Sequence, residues 1–526
     1  MIRTACHVPG DTASVLSVLQ VQRWLRRCSA THSKYGSIGL DVSLPTRLID
    51  VEFGLRLVET KGMHNRYVSL SHCWGDRDST TAKRTFKITR ENLSSSLENI
   101  DFTSLPRTFI DAIIFTRKLG LKYLWIDSLC IIQDDQDDWR HEASLMANIY
   151  ENAVLTLGAT ASASGSAKIP KFPVLIRIDA RITSKGKRYI VYAQRQLPHL
   201  MQYEPLYKRG WIFQERYLSP RFLHFASNEL IWECREGMGC ECNENKLLET
   251  TDSDPVGYFN AFKSYYLEAF TASPYRVQVA WRDVVHAYTE LNLSHAKDTL
   301  PALSGITKKF IGLRPEDIYL AGLWESSFVY DLLWHAESYG ILKKSLRPRL
   351  EKWRAPTWSW ASIDSAVMTR GTSHNYGNDD EPRMTSCIDV LDVNCIPAGD
   401  DITGELSSGY AVLRGSVLAG YFRFKPRSYE SHCIAKGGYE MSFFPDYRLD
   451  TDDDSRVQDG DCVFCLRIAT DSPRRENSLD DFLVLRRKRG MIGTFERIGV
   501  MTLAVDGNDF YRMFESRREE CAITIV

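Results

Sequence analysis

Between residues 66 and 160 the chain alternates apolar runs with amphipathic ones. "RYVSLSHCWG" (66–75) places Val68 and Leu70 in a strand and breaks at the polar tip Ser71-His72-Cys73-Trp74-Gly75. "TSLPRTFIDAIIFTRKLG" (103–120) spaces Phe109, Ile113 and Thr116 for a helix, with Ile110 and Ile114 widening its apolar face. Ser104 is the expected N-cap, Pro106 falls in the first turn and Gly120 fits a left-handed stop. "LKYLWID" (121–127) then reads as a strand buried on both faces of a parallel sheet. A second helix over 139–151 aligns Glu142, Met146 and Tyr150, and "NAVLTLGAT" (152–160) is a third strand.

Strand, helix, strand, helix, strand is the pattern of a βαβαβ unit with a parallel sheet. Open sheets of this kind hold ligands outside the carboxyl ends of their strands. Ser71–Gly75 and Asp127–Cys130 fall at such ends, so the pattern itself predicts a site there.

The flanking sequence reads differently. Residues 1–65 form a lead-in, with a short amphipathic helix over 18–27 and an extended connector over 43–50. The core spans 66–235 and ends in a dense helix–strand segment, 207–234. A helical and mixed extension, 236–372, is expected to pack on the core, with extended structure resuming in "APTWSWASID" (355–364). After a linker at 373–383, the region 373–526 is a β-rich module built from runs such as "GYAVLRGSVLAGYF", "DCVFCLRIA", "DFLVLRR" and "FERIGVMTLA".

Composition narrows the class. The 526 residues are 44% hydrophobic and 11% aromatic, enough for more than one core. Sixty-six basic residues against 67 acidic ones give a net charge of -1, which gives no support to a nucleic-acid or membrane-surface binder. No run reaches the roughly 18–20 apolar residues a bilayer span needs, and no secretory signal is read, so the expected compartment is the cytoplasm. Thirteen scattered cysteines fit reduced thiols rather than a disulfide scaffold.

Each candidate site has a plainer account beside it. Asp127 and Ser128 could hold a ribose or cap a turn. The acids Asp134, Asp135, Asp137 and Asp138 are best explained by capping at a helix N-terminus. Trp139 and Glu142 share a helical face, where an indole beside a carboxylate can raise its pKa; a solvated surface glutamate is the alternative. His72, Cys73 and Cys130 invite thiol chemistry, although small buried cysteines are commoner. Arg209, Trp211, Gln214, Glu215 and Arg216 in "RGWIFQER" either bind a ligand or lock two elements together. Cys234, Cys240 and Cys242 with His224, like "CSATH" (28–32), fit no standard zinc spacing, so no metal is assigned. Neither a P-loop nor a G-x-G-x-x-G run is present.

The blocks "YVSLSHCWG", "LPRTFIDAI", "KYLWIDSLCIIQDDQDDWRHEASLMANIYENA" and "RGWIFQERYLSPRFLHF" together resemble the fungal heterokaryon incompatibility (HET) domain, over roughly 66–235. Later phrases, "DTLPALSGI", "YLAGLW", "APTWSWAS" and "FERIGV", resemble the region that follows it in such proteins. The chain departs at Tyr35, where relatives carry the last cysteine of a C-x3-H-x2-C lead-in, and at "SASGSAKIPK". The resemblance implies an α/β fold with a flavodoxin- or TIR-like core, and a role in allorecognition and programmed cell death. It also implies partners among other incompatibility proteins or copies of itself. By likeness to TIR-type enzymes it implies NAD as a substrate rather than a resident cofactor, cleaved at its nicotinamide bond. Glu142 would then be the catalytic carboxylate. Ser71, His72, Trp74, Gly75, Asp127, Ser128, Cys130, Trp139, Arg209, Trp211, Gln214 and Glu215 would form the ligand site. A non-catalytic interaction protein and a secondary-metabolism enzyme remain the alternatives.

Overall fold

A computed structural model describes residue 8 and residues 11–31, 41–74, 86–162, 176–181, 188–193, 204–227, 229–235, 237–242, 273–337, 346–369, 384–424, 432–451, 453–471, 478–504, 512, 514–516 and 518–526. The chain divides into two compact units, Met1–Leu267 and Glu268–Val526.

The first unit is built on an eight-stranded mixed sheet. Its strands are β1 (Arg47–Asp50), β2 (Arg56–Glu59), β3 (Tyr67–Ser71), β4 (Tyr123–Trp125), β5 (Leu155–Gly158), β6 (Arg221–Phe225), β7 (Leu230–Cys234) and β8 (Gly237–Cys240). They lie in the order β8-β7-β6-β5-β3-β4-β1-β2. The four central strands β4, β3, β5 and β6 are parallel, and β1, β2, β7 and β8 extend the sheet antiparallel on both flanks. The same unit holds, among other elements, helices α1 (Val15–Thr31), α2 (Arg107–Lys118), α3 (Asp127–Cys130), α4 (Gln136–Asn152) and α5 (Ile212–Leu218). The first parallel strand, β3, has its sequence successor β4 on one side and β5 on the other, so the chain reverses direction across the sheet at β3 and β5.

Every residue of β3, β4 and β5 is buried, as a parallel sheet covered on both faces requires. Serine and threonine are tolerated there because they pair across the register. Ser69 Oγ lies 2.8 Å from Thr156 Oγ1, which in turn lies 2.6 Å from Ser219 Oγ. Trp125 meets Tyr150 of α4 edge to face, with ring centroids 5.5 Å apart. Gly158 ends β5 directly under the Phe222 ring of β6, where an added Cβ has no room. Gly158→Ala is therefore expected to destabilise the unit by about 1–3 kcal/mol through forced movement of Phe222, read as a lower midpoint in urea.

Several expectations need correction. Ser104 does not cap α2; it ends a 3-10 turn, Phe102–Ser104, capped by Asp101. Pro106 holds Leu105 extended, so the helix starts only at Arg107 with Pro106 as its cap residue. Gly120 does stop the chain in the left-handed region, at φ 74°. The stretch 43–50 is more than a connector, because β1 pairs with β4 through Ile49 and Leu124. "APTWSWASID" is not a strand. Ser359 caps a 3-10 turn, Trp360–Ser362, whose flanking Trp358 and own Trp360 are buried. The linker at 373–383 lies outside the described residues.

The second unit holds a helix, α6 (Pro274–Thr289), started by Pro274 and the Ser273 cap. The expected β-rich region is present. Strands β9 (Leu406–Phe424), β10 (Cys462–Asp471), β11 (Leu479–Arg487), β12 (Thr494–Ala504) and β13 (Glu519–Ile525) pair in that order, and β9 returns to pair with both β13 and β10. This closes the ladder into a ring in which each of the five strands has a partner on both sides, and further strands extend it outside the ring. Val463, Cys465, Phe482, Val484, Ile498, Met501 and Phe514 belong to its core.

Candidate functional site

The carboxyl ends of β3 and β4 bring together residues that lie far apart in sequence. Ser71, the last residue of β3, donates its hydroxyl to Glu215 of α5. The Arg209 guanidinium donates to the His72 carbonyl. Asp127 follows β4 and accepts from the Trp74 indole at 2.7 Å and from the Ser128 amide at 2.7 Å. The His72 ring lies 3.7 Å from the Asp127 carboxylate and packs edge to face on Phe109 of α2. Trp74 is exposed at the rim, whereas Ser71, His72, Ser128, Gln214 and Glu215 are buried. Gly75 lies outside the described residues.

Burial sets the electrostatics of this mouth. Removal from water pushes the Glu215 carboxyl up from 4.5 to about 7, against the pull of Arg209 and the Ser71 hydroxyl, and the charge of Asp127 adds to the rise. Burial lowers His72, with Asp127 opposing that change and Arg209 reinforcing it, so the imidazole is neutral at pH 7. The same desolvation raises the Tyr150 phenol well above its ordinary value, helped by Glu215 and Asp127. Two buried atoms, His72 Nε2 and Ser128 Oγ, have no hydrogen-bond partner among the described residues.

Between about pH 4.5 and 7 the folded chain keeps a proton on Glu215 that the unfolded chain has released. Raising the pH through that window therefore costs stability, and the cost is fully present above pH 7. Urea unfolding of wild type and Glu215→Gln at pH 5 and pH 8 is expected to show wild type losing ground to the variant on going up.

Glu142 sits in a second group. It is fully buried on α4, and its neighbours are Arg47, Thr46, Asp138 and His141 rather than Ser71, Tyr150 or Arg209. The Arg47 guanidinium lies 3.6 Å from Glu142, holds both Asp138 oxygens at 2.6 Å and donates to the Cys130 carbonyl at 2.8 Å. Burial raises the Glu142 pKa, with Thr46 and Arg47 acting against it. Cys130 feels both groups, and burial pushes its thiol up to about 12, far from the thiolate a nucleophile needs. Trp139 is half-buried on α4 three residues before Glu142, and Trp211 is half-buried at the start of α5.

The run of acids divides by role. Asp135 caps α4 by accepting from the Asp137 and Asp138 amides. Asp138 instead joins Arg47, a role its sequence setting concealed because a helix start explains any acid. Tyr150 was also hidden, since its spacing reads as core; its hydroxyl donates to the Leu70 carbonyl at 3.3 Å.

Residues 67–215 match the model of the family described as Heterokaryon incompatibility protein (HET). The chain carries a HET domain. No curated protein and no solved structure matches. The matched span runs from the start of β3 to Glu215 itself, so both carboxylate groups except Arg47 and Thr46 lie inside it. The HET domain's sheet is nonetheless completed by β1 and β2 before the span and by β6, β7 and β8 after it. No described helix is long and apolar enough to cross a membrane.

Proposed function

We propose that the HET domain binds NAD at the β3–β4 mouth and hydrolyses its nicotinamide–ribose bond, serving fungal incompatibility and cell death in the cytoplasm by depleting the dinucleotide. The convergence of Asp127, Arg209 and the buried Glu215 around the carboxyl end of β3, the strand beside which the chain reverses toward β5, carries this reading. Its parallel strands follow the order 2-1-3-4, as in flavodoxin-like sheets, and those bind nucleotides at the reversal point. That order supports the TIR-like assignment.

The chemistry needs few parts. Nicotinamide leaves as a neutral base with the bonding electron pair, and positive charge develops on the ribose. Glu142, the carboxylate singled out by the resemblance, is buried in the Arg47 group apart from the mouth residues, so it bears on that charge through the field of its carboxylate and not by contact. Water then adds to the ribosyl carbon, and its proton passes to Glu215, which is half ionised near pH 7. Arg209 is the cation for the diphosphate, and the exposed Trp74 offers a stacking face.

The test is nicotinamide release from NAD by the purified chain, alone and under crowding, with Glu142→Gln and Glu215→Gln in parallel. Loss in both variants fits the division of labour. Absence of release in every assembly state rejects catalysis. One observation favours a second reading as an assembly module: Ser71 with Glu215, Arg209 with the His72 carbonyl and Trp74 with Asp127 satisfy one another, as a structural lock does. In that case interface substitutions, and not the two glutamine variants, abolish function.

A further inference from the structure

Beyond the HET match, the hairpin of β7 and β8 gathers three metal-binding side chains that no role above uses. Cys240 ends β8, and Cys242 follows two residues later, so both sulfurs emerge on one face. The register pairs Ile231 with Cys240, and the Glu241 amide donates to the Leu230 carbonyl, which brings Glu229 opposite Cys242. The Glu229 carboxylate accepts from the Cys242 amide at 2.7 Å. Cys240 Sγ and Cys242 Sγ lie 3.1 Å apart, and donor atoms of all three side chains fall within 4.8 Å of one another. Glu229 is only 2% exposed and Cys240 is fully buried, against Tyr207, Ala226 and Ile231.

The opposite face carries Glu241, also buried, which accepts from Ser17 of α1 and from the Leu230 amide. Two buried carboxylates and two thiols thus share one hairpin end, an arrangement that a cation relieves. The sequence grouping with Cys234 and His224 dissolves. His224 Nε2 is 2.9 Å from Glu233, and Cys234 lies against Cys28.

We propose that Glu229, Cys240 and Cys242 bind a zinc ion that staples the β7–β8 hairpin. Two thiolates and a carboxylate suit zinc, and three protein ligands leave a fourth position for water. Binding releases both thiol protons to solvent, leaving a neutral zinc dithiolate before Glu229 adds its charge. With Zn–S bonds of about 2.3 Å a tetrahedral ion spreads its sulfurs to about 3.8 Å, so the pair opens slightly on binding. Cys242, half-buried beyond the end of β8, is the member placed to move.

The reduced full chain is loaded with zinc or cobalt, dialysed and measured for metal content and for the thiolate-to-cobalt charge-transfer absorption. One equivalent is expected in wild type and in Cys462→Ser, an exposed cysteine elsewhere; it is lost in Cys240→Ser/Cys242→Ser and weakened in Glu229→Gln. Mass-mapped alkylation of the wild-type chain needs no variant to fold, and zinc must protect Cys240 and Cys242 above the other cysteines. Metal retained by the double serine variant, or equal alkylation with and without zinc, overturns the proposal. So does a reduced chain that takes up no metal and instead closes a Cys240–Cys242 disulfide.

Discussion

Glu215→Gln is expected to slow nicotinamide release by about 10²–10⁴-fold, the range seen when a positioned general base is removed. Glutamine keeps the size of the side chain and an oxygen to accept from Ser71, so the contact at the end of β3 survives. It also removes a carboxyl that burial already disfavours, so the fold is not weakened at neutral pH. Wild-type release is expected to rise with pH through about 7 and then level, as the base ionises, while the variant shows a flat, low profile. Nicotinamide chromatography and thermal unfolding on the same samples separate lost chemistry from lost structure. A variant with the wild-type rate and pH profile removes Glu215 from the mechanism.

Arg497→Met is expected to cost the second unit about 3–5 kcal/mol, because it strands a buried charge and two carbonyls at once. Arg497 is 1% exposed. It reaches Asp446 at 2.9 and 3.1 Å, donates to the carbonyls of Leu332 and Trp334, and lies 3.6 Å over the Trp334 ring. Asp446 is itself fully enclosed, and burial raises its pKa against the pull of Arg497. Without the guanidinium, Asp446 takes up a proton, so the loss is smaller at pH 5 than at pH 8. Adding Asp446→Asn is expected to recover part of the stability, since the uncompensated charge goes with it. Calorimetric scans of the single and double variants at both pH values check the size and the recovery. Equal midpoints for wild type and Arg497→Met would refute the account.

Legibility followed hydrophobic run length. Strands β3, β4 and β5 and helices α2 and α4 announce themselves because their apolar residues repeat at strand or helix spacing over many positions. β1 escaped because only Leu48 and Ile49 are apolar in it, while Arg47 and Asp50 at its ends are buried by pairing with distant acids and bases. Charge is read as exposure in a sequence, and here it is not. Asp127, Ser71 and His72 were findable as polar tips of apolar strands. Helix α5 gave no face to read, since all seven of its residues are buried. That Glu215 rather than its neighbours meets Ser71 depends on a contact across 144 positions of sequence. The division of the acid run between a cap and the Arg47 group is equally a matter of partners brought from afar.

The ring in the second unit has a temporal consequence. Strand β13 sits between β9 and β12, pairing with β9 from Ala411–Ile525 to Val417–Glu519 and with β12 at Thr494–Thr524 and Phe495–Ile525. The ring therefore cannot close while the ribosome is still making residues before 525. At about 5–20 residues per second, β9 waits several seconds after its own synthesis for the partner that completes it. During that interval two strand edges and an apolar interior are open to other nascent chains. A premature stop before β13 would fix that open state permanently, making truncated products targets for chaperone capture and degradation rather than partially active protein.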